Sequence, residues 1–96
     1  MNEIVADTVA YILHNLEDIV TKNSLDSFFK TYNCASKQIK IDILNECLST
    51  ISQEIIDMEI MLEEENTQEK YYDIEEKIEE LENKKEIFID KISELE

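Results

Sequence analysis

Two apolar ladders of seven-residue period face each other across a short polar break, and they decide most of what this chain can become. The first falls at Ile41, Leu44, Leu48, Ile51, Ile55, Met58 and Leu62. After Asn66, Thr67 and Gln68 the pattern restarts at Tyr71, Ile74, Ile78, Leu81, Lys85, Phe88, Ile92 and Leu95. Alternating three- and four-residue steps hold a stripe on one helix face, and two facing stripes interlock as knobs into holes. Folding at the break sets Leu62 against Tyr71, Ile55 against Ile78, Leu48 against Lys85 and Ile41 against Ile92. The spacing predicts an all-α chain built on an antiparallel coiled-coil hairpin, with helices at about 36–65 and 67–96.

Composition narrows the alternatives. The chain has no Gly and no Pro. Glycine supplies the positive φ of tight turns and proline stops helices, so an all-β or α/β domain is disfavoured. At 96 residues the chain reads as one helical domain, with base helices over 1–35 and the hairpin over 36–96. A first helix is expected from about Asn2 to Lys22, with Val5, Val9, Ile12, Leu16 and Ile19 on one broad stripe. Asn2 and Asn23 are candidate polar ends. Ser24 is the expected N-cap of a short helix carrying Leu25, Phe28, Phe29 and Tyr32, and Asn33 its left-handed stop. Ser36 is the expected N-cap of the third helix, and Asn66 that of the fourth, with Glu69 completing a capping box.

A second apolar row on the third helix, Ile39, Ile43 and Cys47, calls for a second neighbour, which the first helix can supply. A helix of about twenty residues spans some 30 Å along partners of about 45 Å. The expected architecture is a three-helix base with a protruding two-helix arm. Seam layers in the base, Leu48 among them, are expected to be fully buried, and arm layers such as Met58 half-covered. Lys85, in a seam position, is expected to lay its methylene stem on the core and keep its ammonium wet.

Charge follows the same division. Against a net charge of −15 for the chain, residues 54–82 hold thirteen acids and two lysines, Lys70 and Lys77, a net of −11. Few lysines offset the acids at helical spacing, Asp73–Lys77 being one pair, and neighbouring like charges cost a few tenths of a kcal/mol each. So acidic a surface repels nucleic acid and anionic lipid, which need Lys or Arg against phosphate. Direct nucleic-acid and membrane binding are therefore not expected, and no apolar run approaches the roughly 20 residues that span a bilayer. A cytoplasmic setting is expected, with Cys34 and Cys47 as reduced thiols, although the two could form one bridge in an exported protein.

Catalytic and metal chemistry find little footing. His14 is the only histidine, with neither cysteine near it in sequence, so no Cys–His nucleophile pair is legible. Short zinc-ligand pairs are missing, as are the Glu-x-x-His of di-iron bundles and any glycine loop for phosphate or calcium. No cofactor and no metal are expected.

The expected activity is therefore non-enzymatic binding of a protein partner with a basic surface. The candidate contact residues are Glu59, Glu63, Glu64, Glu65, Glu69, Asp73, Glu76, Glu79 and Glu80, with Ile56, Ile60 and Tyr72 as apolar groups outside the seam. Duplex DNA carries one negative charge per about 1.7 Å of axis, and the arm's acids, spread over roughly 20–25 Å per helix, come near that density. In size and charge the chain resembles small acidic proteins that imitate DNA, including some phage-encoded inhibitors of nucleases and of CRISPR effectors. That resemblance implies an inhibitor that occupies an enzyme's nucleic-acid channel. The alternative reading is a coiled-coil adaptor or chaperone that assembles, for instance as a homodimer, through the exposed isoleucines. Salt separates the two, because charge-led binding weakens with ionic strength and apolar contacts do not.

Overall fold

A computed structural model of the chain describes residues 3–96. Four α-helices account for most of it, with no strand among the described residues: α1 Glu3–His14, α2 Lys22–Thr31, α3 Lys37–Glu64 and α4 Gln68–Leu95. The last two are equal in length and lie symmetrically about Asn66. They pack together along the hairpin. At 28 residues each reaches about 42 Å, close to the 47 Å long dimension of the molecule.

Ser36 caps α3 as its position suggests, its Oγ accepting the Ile39 N–H at 3.4 Å. Asn33 adopts φ 53°, the left-handed geometry that lets the chain turn out of α2 without glycine. The other ends differ from expectation. Asn2 lies outside the described residues. The first helix stops at His14 instead of reaching Lys22, because Asn15 turns its side chain back onto the Tyr11 carbonyl at 2.9 Å. A short-side-chain amide competes with the helix for its own carbonyls in this way. A 3₁₀ turn, Leu16–Asp18, follows, and then Ile19 in extended geometry. This break lets Ile19 plug the core, fully buried, while Lys84 of α4 donates to its carbonyl oxygen.

Two predicted caps are corrected. Thr21, not Ser24, precedes α2; Ser24 sits in the first turn with its hydroxyl 3.3 Å from that of Thr21. Thr67, not Asn66, precedes α4 and makes no side-chain cap. The orphan amides of the hairpin loop go to Glu65, whose carboxylate accepts the N–H groups of Asn66 and Thr67 at 3.1 and 2.9 Å.

The second row on α3 does meet α1. Ile43 and Cys47 are fully buried, and α1 packs on α3. Leu25 and Phe29 anchor α2 in the same core, and Tyr11 meets Phe28 and Tyr32 edge-on at 5.2 and 5.4 Å. Because α1 and α2 cover only one flank of the hairpin, the seam is not evenly sealed. Leu44, Ile51, Leu81 and Phe88 are almost wholly enclosed, whereas Leu48, expected to be fully buried, is only partly so, like Ile41, Ile78 and Ile92. Lys85 is likewise half-buried.

Lys91 of α4 is the one charged side chain buried among the described residues, 3% exposed. Its ammonium meets Asp26 of α2 at 2.8 Å and Glu94 at 3.3 Å. Burial by itself lowers the ammonium's pKa, but the hydrogen bonds it donates to Asp26 and Glu94 outweigh it and hold the group above the ordinary lysine value of 10.5. Such a pair ties α2 to α4 and tolerates loss of a partner poorly. Asp26→Ala should cost about 1–3 kcal/mol, the range for a lost hydrogen bond to a buried charge. Lys91→Met removes the charge together with its need for partners and should cost less. The folded-state value lies above the unfolded one, so the stabilisation is complete below pH 10.5 and fades as pH climbs through the raised value. Denaturant melts from neutral to strongly alkaline pH check this, with the gap between parent and Lys91→Met flat and then closing.

Candidate acidic interface

Beyond the reach of α1 the hairpin continues as a bare pair of helices. The C-terminal end of α1 marks the boundary. Leu13, His14 and Leu16 share a surface cleft of about 540 Å³ with Glu54, Asp57 and Met58 of α3 and Lys77 and Leu81 of α4. From there to the tip the seam is unevenly covered: Met58 and Leu62 are partly exposed and Tyr71 is 38% exposed, while Ile74 stays buried.

Glu59, Glu63, Glu64, Glu69, Asp73, Glu76, Glu79 and Glu80 are all exposed. Glu69, Asp73, Glu76 and Glu80 follow a three-four spacing that keeps them on one side of α4, away from its seam. Glu65 is engaged in the loop, where the Thr67 N–H, with help from Lys70 and the Asn66 N–H, holds its carboxyl below the usual glutamate range. Every ion pair among the described residues lies in the base, joining Lys22 to Glu94 and Lys91 to Asp26 and Glu94. Asp73 and Lys77, expected as a helical pair, form no such contact. The arm's acids are therefore left without ion-pair partners in the structure, and within residues 54–82 only Lys70 and Lys77 offset their field.

Apolar groups stand among these charges. Ile56 and Ile60, one turn apart on the outer face of α3, are 49% and 50% exposed, and Tyr72 on α4 is 59% exposed. Neither α1 nor any other helix covers them. The hairpin places the isoleucines and Tyr72 on different helices, so they flank the arm instead of forming one patch. Tyr72 is steadied by Gln68, whose amide donates to its hydroxyl at 3.3 Å, and by the Tyr71 ring edge at 6.4 Å. Met61, also 50% exposed, joins the apolar set and was legible from its position just outside the seam.

Nothing assembles around the histidine or the thiols. His14 is exposed at the end of α1. Both cysteines are buried and free; Cys34 lies 3.7 Å from the Thr8 hydroxyl. Burial, reinforced by Glu46, pushes the Cys47 thiol up to about 12, which holds it protonated at neutral pH and is the opposite of what a nucleophile requires. The described residues contain no cluster of three or more His, Cys, Asp or Glu able to hold a metal ion, and no helix long and apolar enough to cross a membrane. Comparison with known proteins finds no matching family model, curated protein or solved structure.

Proposed function

We propose that the chain is a non-enzymatic binding protein whose acidic arm engages a basic protein surface, such as the nucleic-acid channel of an enzyme it thereby inhibits. The observation that carries this reading is the separation of charge from pairing. The base holds all the ion pairs seen among the described residues, while thirteen acids of residues 54–82 surround a narrow two-helix rod without them. A stretch that tolerates this self-repulsion on two facing helices presents a concentrated negative field to an approaching cation. Ile56, Ile60, Met61 and Tyr72 supply apolar contacts that outlast the encounter. The working compartment in this reading is the cytoplasm, where Cys34 and Cys47 stay reduced.

The exposed isoleucines favour a second reading, an assembly protein that joins partners through apolar contact alone. Capture from cell extract distinguishes the two when the parent is run beside a variant with Ile56→Ser and Ile60→Ser, with duplex DNA as competitor. The acidic-arm reading expects the captured protein to be released by DNA and by salt, and retained in reduced amount by the serine variant. Capture indifferent to DNA and salt but abolished by the serines would replace it with the assembly reading.

A further inference from the structure

The chain holds 24 acids in 96 residues, yet residues 27–41 contain none, and they carry three lysines, Lys30, Lys37 and Lys40. No other stretch of the sequence runs as long without an acid. It covers the end of α2, the connection and the start of α3.

The fold gathers part of this stretch around a surface cleft of about 660 Å³, within the roughly 300–1,000 Å³ usual for small-molecule sites. Lys30 and Asn33 border it at the exit of α2 and Lys40 at the start of α3, with Phe29, Cys34 and Ala35 completing the wall. Lys40 is half-buried, its ammonium 5.7 Å from the Phe29 ring, and Lys30 is exposed. Neither has a carboxylate partner, since the ion pairs among the described residues use Lys22 and Lys91. Asp26 is the one acid that borders the cleft, and Lys91 takes its carboxylate at 2.8 Å. Asp42, two residues beyond Lys40, lies on a different side of α3 and accepts a hydrogen bond from Gln38 at 2.9 Å. Two ammonium groups therefore border one cleft with no anion to answer them.

We infer that this cleft binds a small phosphate monoester, its dianionic group held between Lys30 and Lys40. Lysine binds phosphate as a point charge, and two lysines match the charge of nearly −2 that a phosphate monoester carries at neutral pH. A carboxylate brings one charge and leaves the second lysine unanswered.

The arm limits the ligand's size. Lys40 lies fourteen residues from Glu54, about 21 Å along α3, well beyond the Debye length of about 8 Å at physiological salt. A small ligand in the cleft is thus screened from the acidic arm, whereas a nucleic acid or a membrane would meet it. The site is independent of what the arm binds.

Phenyl phosphate, with benzoate as its singly charged counterpart, tests this by amide NMR titration of the full chain. Phenyl phosphate should shift the amides of Lys30, Asn33, Cys34, Ala35 and Lys40 and saturate within about 10 mM. Benzoate should bind at least about tenfold more weakly, and Lys30→Gln and Lys40→Gln should each weaken phenyl phosphate about tenfold, the size of one lost charge-assisted contact. Helical circular dichroism should stay unchanged in both variants. Lys37→Gln removes the same charge from an exposed position outside the cleft and should change the affinity by less than about twofold, because solvent screens it. Shifts that do not saturate, or that spread over lysines elsewhere, overturn the proposal. So does a Lys37→Gln loss as large as that of Lys40→Gln, which would reduce the site to general attraction, or benzoate binding as tightly as phenyl phosphate.

Discussion

Phe88→Ala is expected to be the most damaging single core change in this chain, costing about 3–5 kcal/mol. Phe88 is fully enclosed, and it lies in the part of α4 where α2 closes over the hairpin, the same stretch that carries Lys91. Its removal leaves a cavity that three helices must collapse around, and a domain of this size has a total stability of only about 5–15 kcal/mol. Ile51→Ala and Leu81→Ala, also enclosed, should follow at about 2–5 kcal/mol. Leu48→Ala and Met58→Ala should cost clearly less, because both side chains already touch water. Ile60→Ala should change stability by no more than about 0.5 kcal/mol, the usual range for exposed positions. Urea titrations read all of these. A Leu48→Ala loss equal to that of Leu81→Ala would mean the open flank is covered in solution.

The hairpin was legible in the chain because a seven-residue apolar period has few other structural solutions, and the polar break at Asn66, Thr67 and Gln68 separates two ladders that register when the chain folds back there. Asn33 and Ser36 were legible too, since left-handed geometry and N-capping select those residue types in a chain without glycine. What the ladders do not encode is rotation. Leu44 and Leu48 are equivalent seam positions in sequence, yet one is sealed and the other half-open, because α1 and α2 lie on one flank only. Lys91 was hidden for the same reason: a lysine outside the seam reads as solvent-facing until α2 brings Asp26 to it. The early end of α1 turns on one side-chain hydrogen bond from Asn15, a choice that the continuing apolar stripe through Leu16 and Ile19 conceals. Of the candidate interface, the exposure of the acids and of Ile56, Ile60 and Tyr72 could be read once the arm was placed. The loop role of Glu65 could not, because it depends on amides that are free only in the folded turn.

Replacing Glu63, Glu64, Glu69, Asp73, Glu76 and Glu80 with glutamine takes residues 54–82 from a net of −11 to about −5 while keeping helix propensity nearly constant for the glutamates. The variant should be as stable as the parent or more so. Glu63 and Glu64 sit at the C-terminal end of α3, where the helix dipole opposes negative charge, and their neutralisation offsets the small favourable term lost with Glu69 in the first turn of α4. Binding should nevertheless suffer, and mainly in its rate. A summed field steers encounter more than it holds a complex, and steering is worth about tenfold to a thousandfold in association rate. The direct measurement is stopped-flow association of parent and variant with the isolated partner across ionic strength. Steering by the arm predicts a variant at least about tenfold slower at low salt, with the two rates converging as screening rises. Equal association rates at low salt would contradict it.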